Sequence, residues 1–161
     1  MMIITMHPIG YIHTPYTDPK GAPIQPRYGD KVSGTVEILP EYAEGLSDLD
    51  GFSHIYLLFH LHLSSEYKLK VTPFLDDQLR GVFATRAPRR PNPIGLSLVR
   101  LIKIESNILH IENPDMVDGT PLLDIKPYVS AFEDIGDHRI GWLTGKAGKA
   151  GKRKADDRFD R

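Results

Sequence analysis

The first candidate for binding or catalysis is an arginine-rich and proline-rich segment at residues 86–95. Three arginines, Arg86, Arg89 and Arg90, project from it together with Asn92. Its three prolines hold the backbone extended, because each fixes its own φ and biases the preceding residue away from helix. A stiff backbone loses less entropy when its side chains are aimed at a ligand. The segment is therefore a candidate ligand-binding element, although a surface connector or a proline-rich ligand for another protein's aromatic groove has the same pattern.

A second candidate is the acidic turn at residues 118–121, with the sequence Asp-Gly-Thr-Pro. Such a turn presents backbone N–H groups, a carboxylate and a hydroxyl close together. The strand expected after it places Asp124, Lys126 and Tyr128 on one face and two apolar residues on the other. The apolar pair is Leu123 and Ile125. An ordinary hairpin turn followed by an edge strand is the alternative.

Two histidines form the third candidate. His60 and His62 are two residues apart, which is about 6.6 Å along a strand, so both rings can reach one metal ion. His54 would lie roughly 20 Å away and cannot join them. A zinc site needs a third ligand that the nearby sequence does not supply, and hydrogen-bonded pocket or interface histidines are the preferred interpretation.

Alternating apolar and polar residues indicate that the elements holding these groups are short strands. Within residues 54–63 every odd position is apolar, whereas the even positions mix His, Tyr and Leu. One face should meet the core, and the other is available to line a cavity. Further strands are expected at residues 9–13, 31–38, 81–85, 96–104, 108–112 and 123–129. Ser106 and Asn107 are typical of a tight hairpin turn, and residues 40–49, with an early proline, predict the one clear helix.

Length and composition indicate one ordinary globular domain. The chain has 161 residues, of which 40% are hydrophobic and 25% charged, and it has no cysteine. Disulfides, thiolate metal sites and thiol nucleophiles are therefore excluded. The N-terminus lacks the pattern of a signal peptide, and no apolar run approaches the roughly 18 residues that span a bilayer. We expect a cytoplasmic protein with no membrane segment.

Charge is unevenly distributed along the chain. Residues 145–161 carry seven basic and three acidic side chains, about +4 in a protein whose formal net charge is −1. Residues 78–104 hold six basic side chains and no acidic one, a stretch that can attract phosphates. The sequence therefore predicts a mainly β, β-barrel-like domain at residues 1–144 and a mobile basic tail at residues 145–161. The tail is expected to be solvated, or to attract RNA without sequence preference and in a salt-dependent way.

Taken together, these segments resemble the TrmO family of tRNA methyltransferases over about residues 7–143. The resemblance rests on the order of five motifs along the chain. They are Pro8-Ile9-Gly10-Tyr11-Ile12 with Thr14-Pro15-Tyr16, Phe52-Ser53-His54-Ile55, Gly81 to Arg86, Arg90-Pro91-Asn92-Pro93-Ile94-Gly95, and Val117-Asp118-Gly119-Thr120-Pro121 with Asp124-Ile125-Lys126-Pro127-Tyr128. The family's larger bacterial members carry an additional C-terminal domain, whereas we expect the basic tail in its place here.

The resemblance implies a β-barrel methyltransferase, commonly a homodimer, that binds S-adenosylmethionine without a glycine-rich Rossmann loop. It implies that the substrate is the threonylcarbamoyl adenosine beside the anticodon of threonine tRNAs, methylated on N6. By the same resemblance the cofactor contacts are Pro26, Arg27, Tyr28, His62, Leu63, Arg86, Leu96, Asp118, Gly119, Thr120 and Pro121. No resident metal is implied.

The N6 nitrogen belongs to a urea, so its proton must leave when the methyl group arrives. We take Asp118 or Asp124 as the base or orienter, with Tyr128 and Asn92 as further catalytic candidates. Arg89, Arg90 or Lys126 would clamp the carboxylate of the threonyl group.

Two alternatives come from other classes of protein. A metal-dependent hydrolase would use His60 and His62. A noncatalytic RNA-binding module would use the basic stretch and the tail to grip phosphates.

Overall fold

The computed structural model describes residues 1–24 and 31–159. Its strands are β1 (Gly10–His13), β2 (Ser33–Ile38), β3 (His54–His60), β4 (Lys70–Val71), β5 (Arg80–Gly81), β6 (Ile94–Glu105), β7 (Ile108–Glu112) and β8 (Thr120–Pro127). The helical segments are the 3-10 turns Pro40–Leu46, Leu49–Gly51, Val82–Ala84, Gly141–Leu143 and Ala147–Lys152, and the α-helix α1 (Ser130–Glu133). None of the helices in the described ranges has the length and apolar character needed to cross a membrane.

Six strands close into an antiparallel barrel in the order β1-β2-β7-β6-β3-β8. The inward side chains follow the period of two that the sequence shows. In β3, for example, Ile55, Leu57 and Phe59 are buried while their neighbours are half-buried. The core cluster is completed by Ile12, Val36, Ile38, Val99, Leu101, Leu109, Ile111, Met116 and Leu122. The expectation of a mainly β, barrel-like domain is confirmed.

The hairpin between β6 and β7 forms where the sequence predicts it. Glu105 pairs with Ile108 across the turn, and Ser106 has the positive φ of 57° that a tight turn requires. The Asn107 amide donates to the Ile38 carbonyl at 2.7 Å, which ties the turn to the neighbouring strand. The turn therefore helps to fix the register of the barrel.

Two local predictions are wrong. Residues 81–85 do not form a strand, because the N–H and the hydroxyl of Thr85 both donate to the Val82 carbonyl and close a 3-10 turn. The segment predicted as a helix at residues 40–49 is a 3-10 helix that ends at Leu46. It stops there because Ser47 donates twice to the Glu44 carbonyl and Asp48 turns left-handed, with φ of 67°.

The tail packs against the body of the protein. The Lys146 ammonium contacts the Asp76 carboxylate at 2.8 Å, and Lys154 forms an isolated bridge with Pro23. Phe159 packs on a small second cluster made by Val71, Val82 and Ala87. The tail partly buries an apolar side chain, contrary to the expectation of a wholly solvated segment, and its mobility stays a prediction.

Candidate functional site

A cavity of about 390 Å³ opens at the end of the barrel where β3 ends and β6 and β8 begin. Its floor contains the buried residues Phe59, Met116 and Thr120. The close approach of β6 to this floor needs a glycine, since a Cβ at Gly95 would overlap the Phe59 ring. The rest of the wall comes from residues 61–64, the arginine segment, residues 115–117, residues 19–24 and the tail. Five separate stretches of sequence, together with Phe74, therefore meet around one space.

The arginine segment and the acidic turn converge on this cavity. Arg86 and Arg90 line it from one side, and Val117 and Thr120 line it from the other. The turn is held by its own hydrogen bonds, since the Thr120 hydroxyl donates to the Val117 carbonyl at 2.7 Å. Gly119 between them has φ of 76°, a conformation that favours glycine. The juxtaposition expected from the sequence is thus present within a single chain.

The three arginines differ in what they contact. The Arg90 guanidinium donates to the carbonyls of Thr85 and Ala87 at 3.0 and 3.1 Å, so it braces its own segment while lining the cavity. Arg89 is only 9% exposed and donates to the Phe159 carbonyl at 2.7 Å. The picture of Arg89 projecting toward a ligand is wrong, because its guanidinium holds the tail instead.

The predicted cofactor residues fall into three groups. His62, Leu63, Arg86, Leu96 and Thr120 line the cavity. Asp118, Gly119 and Pro121 belong to the neighbouring turn and the start of β8, but they are not part of the cavity wall. Pro26, Arg27 and Tyr28 lie outside the described residues.

The Asp118 carboxylate lies at the exposed side of the turn. It accepts a hydrogen bond from the Thr14 backbone N–H at 3.1 Å and lies 3.4 Å from the His13 ring. Asn92 is absent from the cavity wall, and its backbone carbonyl accepts from the N–H of Ile94 at 2.8 Å. Neither residue is part of the cavity wall.

Three of the predicted residues, Asp124, Lys126 and Tyr128, lie on β8 or just after it. Asp124 and Lys126 form an exposed ion pair at 2.9 Å, and the Tyr128 ring packs edge-on against Tyr56 and His54. None of the three is part of the cavity wall. These three residues therefore do not join the cavity of their own chain.

The two faces predicted for this strand also need correction. The pairing of β3 with β8 shifts register at Leu58 and Phe59, which leaves Leu123 as the extra residue of a bulge. Leu122 is fully buried and Ile125 packs on the core cluster, so the inward positions change phase across the bulge. A simple alternation cannot reveal such a change.

The histidine pair does not form a strand-borne metal site. β3 ends at His60, and the His62 N–H donates to the His60 carbonyl in a tight turn. Among residues 1–24 and 31–159, no group of three or more His, Cys, Asp or Glu side chains is arranged to hold a metal ion. His62 instead faces the cavity.

Sequence reasoning missed a carboxyl group in the cavity wall. Asp115 lines the cavity, and its Oδ1 accepts a hydrogen bond from the hydroxyl of Ser97, which is itself 3% exposed. Burial raises the pKa of the Asp115 carboxyl to about 7, and the bond from Ser97 and the charge of Arg86 only partly oppose that rise. The available signal was an acidic residue between Pro114 and Met116, both of which are buried.

The fold and the cavity together define a small ligand-binding β-barrel. The family model of the tRNA-methyltransferase O N-terminal domain matches residues 11–134. A crystal structure of TrmO from Pseudomonas aeruginosa superposes with a TM-score of 0.74 and 40% identity, covering 88% of this chain and 63% of that chain.

Relatives from two other domains of life are also similar. A probable S-adenosyl-L-methionine-binding protein of Pyrococcus abyssi is 49% identical over 158 residues, which are 98% of this chain and 86% of the relative. The tRNA (adenine(37)-N6)-methyltransferase of Mus musculus is 40% identical over 135 residues, which are 78% of this chain and 31% of the relative. The chain thus spans most of the archaeal relative and about a third of the mouse enzyme. The chain belongs to the TrmO family.

Proposed function

We propose that this protein transfers a methyl group from S-adenosylmethionine to N6 of an adenosine in tRNA. The adenosine is the threonylcarbamoyl adenosine beside the anticodon, and the substrates are threonine tRNAs. The observation that carries the proposal is the cavity in which the arginine segment meets the turn after residue 117. Family membership supports the reaction class, since the mouse relative is a tRNA (adenine(37)-N6)-methyltransferase.

The residues around the cavity suit S-adenosylmethionine. Ligand cavities of about 300–1,000 Å³ are typical for molecules of this size, and this one has about 390 Å³. Leu63, Leu96 and Met116 supply an apolar surface for the adenine ring, and Arg86 or Arg90 can pair with the methionine carboxylate. The Pyrococcus relative, a probable S-adenosyl-L-methionine-binding protein, supports the same cofactor.

The work left to the protein is orientation, exclusion of water and removal of a proton. When bound, the sulfonium of the cofactor supplies an electrophilic methyl group. The apolar floor formed by Phe59 and Met116 keeps water away from the reacting atoms. The cavity walls restrict the directions from which the adenine of the tRNA can approach. A base in an anticodon loop is single-stranded, so placing it in a cavity costs little.

Recognition of the threonyl carboxylate and of the tRNA would come from nearby cations. Arg90 is the member of the proposed clamp that lines the cavity, whereas Arg89 holds the tail and Lys126 pairs with Asp124. The tail's basic run at residues 146–154 leads directly into Ala155 and Asp156, which line the cavity. Positive charge therefore lies beside the cavity, where tRNA phosphates would pass.

Association of two subunits and a cytoplasmic location are part of the proposal. The exposed Phe132 and Ile135, which lie shortly after Tyr128 in sequence, support a contact between two copies on that side of the barrel. A second copy placed there would bring its own residues to Asp124 and Tyr128. Sedimentation of the purified protein measures directly whether it is a monomer or a dimer.

The decisive test is a methylation assay with two matched tRNAs. Purified protein is incubated with labelled S-adenosylmethionine and threonine tRNA that either carries or lacks the threonylcarbamoyl group, and the nucleosides are then analysed by mass. The expected result is one added methyl group on the threonylcarbamoyl adenosine and none on the unmodified tRNA. Methylation of both tRNAs would contradict the proposed substrate, and methylation of neither would contradict the proposed reaction.

Calorimetry separates this enzyme from a noncatalytic RNA-binding module. The methyltransferase should bind S-adenosylmethionine in the absence of RNA, and the Leu96→Trp variant, which fills part of the cavity, should weaken that binding. A protein that binds tRNA but not the cofactor would be an RNA-binding module.

A further inference from the structure

Asp115 is the cavity's one acidic group from the body of the barrel among the described residues, and it is built into the wall. It follows Asn113 and Pro114, whose backbone is fixed by an Asn113 N–H bond to the Val32 carbonyl at 2.7 Å and by the burial of the proline ring. Ser97, near the beginning of β6, is almost fully buried, and its hydroxyl donates a hydrogen bond to the Asp115 carboxyl. Ser97 of β6 therefore orients the carboxyl group, and the backbone contact of Asn113 holds the loop that carries it.

A carboxyl group in this position is poised to accept a proton near neutral pH. An ordinary surface aspartate is a weak base, because its conjugate acid has a pKa near 4. Burial raises the pKa of Asp115 to about 7, which is the range in which a general base is both ionised and able to take a proton. Perturbed acidic groups in cavities are common at sites of proton transfer.

We propose that the Asp115 carboxylate accepts the N6 proton of the bound nucleoside as the methyl group is transferred. The inference rests on the proposed function and assigns a proton acceptor within it. In the step, the sulfur–methyl bond breaks and the N6–methyl bond forms. The N6–H proton passes to Asp115, and the electron pair of the broken bond stays on sulfur as a neutral thioether. Asp115 then returns its proton to solvent.

The other candidate carboxylates are less well placed for this step. Asp118 is exposed and bound to the backbone of Thr14, and Asp124 is exposed and paired with Lys126. Both lie outside the cavity wall. Asp115 is the group that combines access to the cavity with a fixed orientation.

The charged and titratable groups that share the cavity are few. Arg86 and Arg90 face it from the arginine segment, His62 from the segment after β3, and Asp156 from the tail. Asp156 is held by the Arg158 guanidinium through hydrogen bonds of 2.6 and 2.8 Å, which lowers its pKa and leaves it a poor proton acceptor. Within residues 1–24 and 31–159, His62 is the remaining titratable side chain in the cavity wall, so the test must separate it from Asp115.

Ser97 acts through Asp115 and is a positioning residue. Its hydroxyl donates to the carboxylate form, so loss of the bond should raise the pKa of Asp115 further. The Ser97→Ala variant therefore moves the pH dependence of the reaction to higher pH without removing the base. A purely structural role for Ser97 would not produce that shift.

The test compares single-turnover methylation rates across pH 5.5–9 for the wild type and three variants. The variants are Asp115→Asn, Ser97→Ala and, as a matched control with an exposed carboxylate, Asp134→Asn. The substrate is threonine tRNA that carries the threonylcarbamoyl group, and calorimetry measures S-adenosylmethionine binding to each protein.

The expected result is a wild-type rate that rises with pH as one group ionises. Asp115→Asn should lose about 100-fold or more in methylation rate, the usual contribution of a general base. Its rate should also no longer rise with pH. Its affinity for S-adenosylmethionine should change by about threefold at most, which is small beside the expected loss of methylation rate. Ser97→Ala should keep the rise of the methylation rate with pH, but the rise should occur at higher pH. Asp134→Asn should match the wild type.

Three results would overturn the proposal. The first is an Asp115→Asn variant that keeps both its rate and its rising limb, which would direct attention to His62. The second is loss of S-adenosylmethionine binding in that variant, which would place Asp115 in cofactor binding. The third is a wild-type protein that methylates no tRNA, which alone would also overturn the proposed function.

Discussion

Replacing Asp115 by asparagine should stabilise the protein, and increasingly so as the pH rises. The wild-type carboxyl has a pKa of about 7 in the folded protein and an ordinary value of 3.8 when unfolded. Between these two values the folded state holds a proton that the unfolded state has released, so folding stability falls as the pH rises through that window. The asparagine variant has no such proton to lose and escapes the penalty.

The size of the effect follows from the difference between the two pKa values. A difference of about 3 units, at 1.36 kcal/mol each, sets an upper limit of about 4 kcal/mol above pH 7. The gain should be smaller, about 1–2 kcal/mol, because Asp115 keeps partial exposure in the cavity and the new amide must find partners for its N–H groups. Below pH 4 both side chains are neutral, and the gain should vanish.

Urea unfolding of both proteins at pH 4, 5.5, 7 and 8.5 measures this difference. Other groups titrate equally in the two proteins and cancel when their unfolding free energies are subtracted. The exposed variant Asp134→Asn serves as the control, and its difference from the wild type should not follow the same curve. A difference for Asp115→Asn that stays constant across this range, or that falls as the pH rises, would refute the reasoning.

Two further predictions concern the floor of the cavity and the tail. Gly95→Ala should destabilise the protein by about 1–3 kcal/mol in urea unfolding and weaken S-adenosylmethionine binding, because its Cβ overlaps the Phe59 ring. Asp76→Asn should release the tail, since the buried Asp76 carboxylate binds the Lys146 ammonium and the Arg80 guanidinium, and trypsin should then cut the tail several-fold faster. The two cations hold the pKa of Asp76 well below its usual value of 3.8, so the wild-type tail should keep this protection above pH 4 and lose it only as the pH falls further.

Matched controls are available for both variants. Gly81→Ala adds the same methyl group where no atom lies within 4 Å, so its stability should be close to that of the wild type. Asp77→Asn removes an exposed carboxylate next to Asp76 and should leave tail cleavage unchanged. Equal effects in a variant and its control would contradict the corresponding contact.

The barrel was predictable because its strands repeat a simple physical pattern. In β2, β3 and β7 one face is buried, and a period of two in the sequence follows directly from that burial. The pattern fails where side chains close local turns, as Thr85 does on the Val82 carbonyl, or where a bulge changes the phase, as at Leu123. Such events depend on single hydrogen bonds and on partners distant in sequence.

The site was predictable only in part. The arginine segment and the acidic turn stood out because their residue types are unusual, and Arg86, Arg90 and Thr120 from these segments line one cavity. Asp115 did not stand out, because an isolated aspartate has an ordinary pKa until the fold buries it beside Ser97. The role of Arg89 was also hidden, since its partner, the Phe159 carbonyl, lies 70 residues away.

A crystal structure with S-adenosylhomocysteine, the product form of the cofactor, tests the central claim most directly. We expect the ligand to occupy the cavity between Arg86 and Thr120, in contact with His62, Leu63 and Leu96 and with its sulfur facing Asp115. A ligand bound instead at the far end of β3, beside Tyr56 and Tyr128, would contradict it.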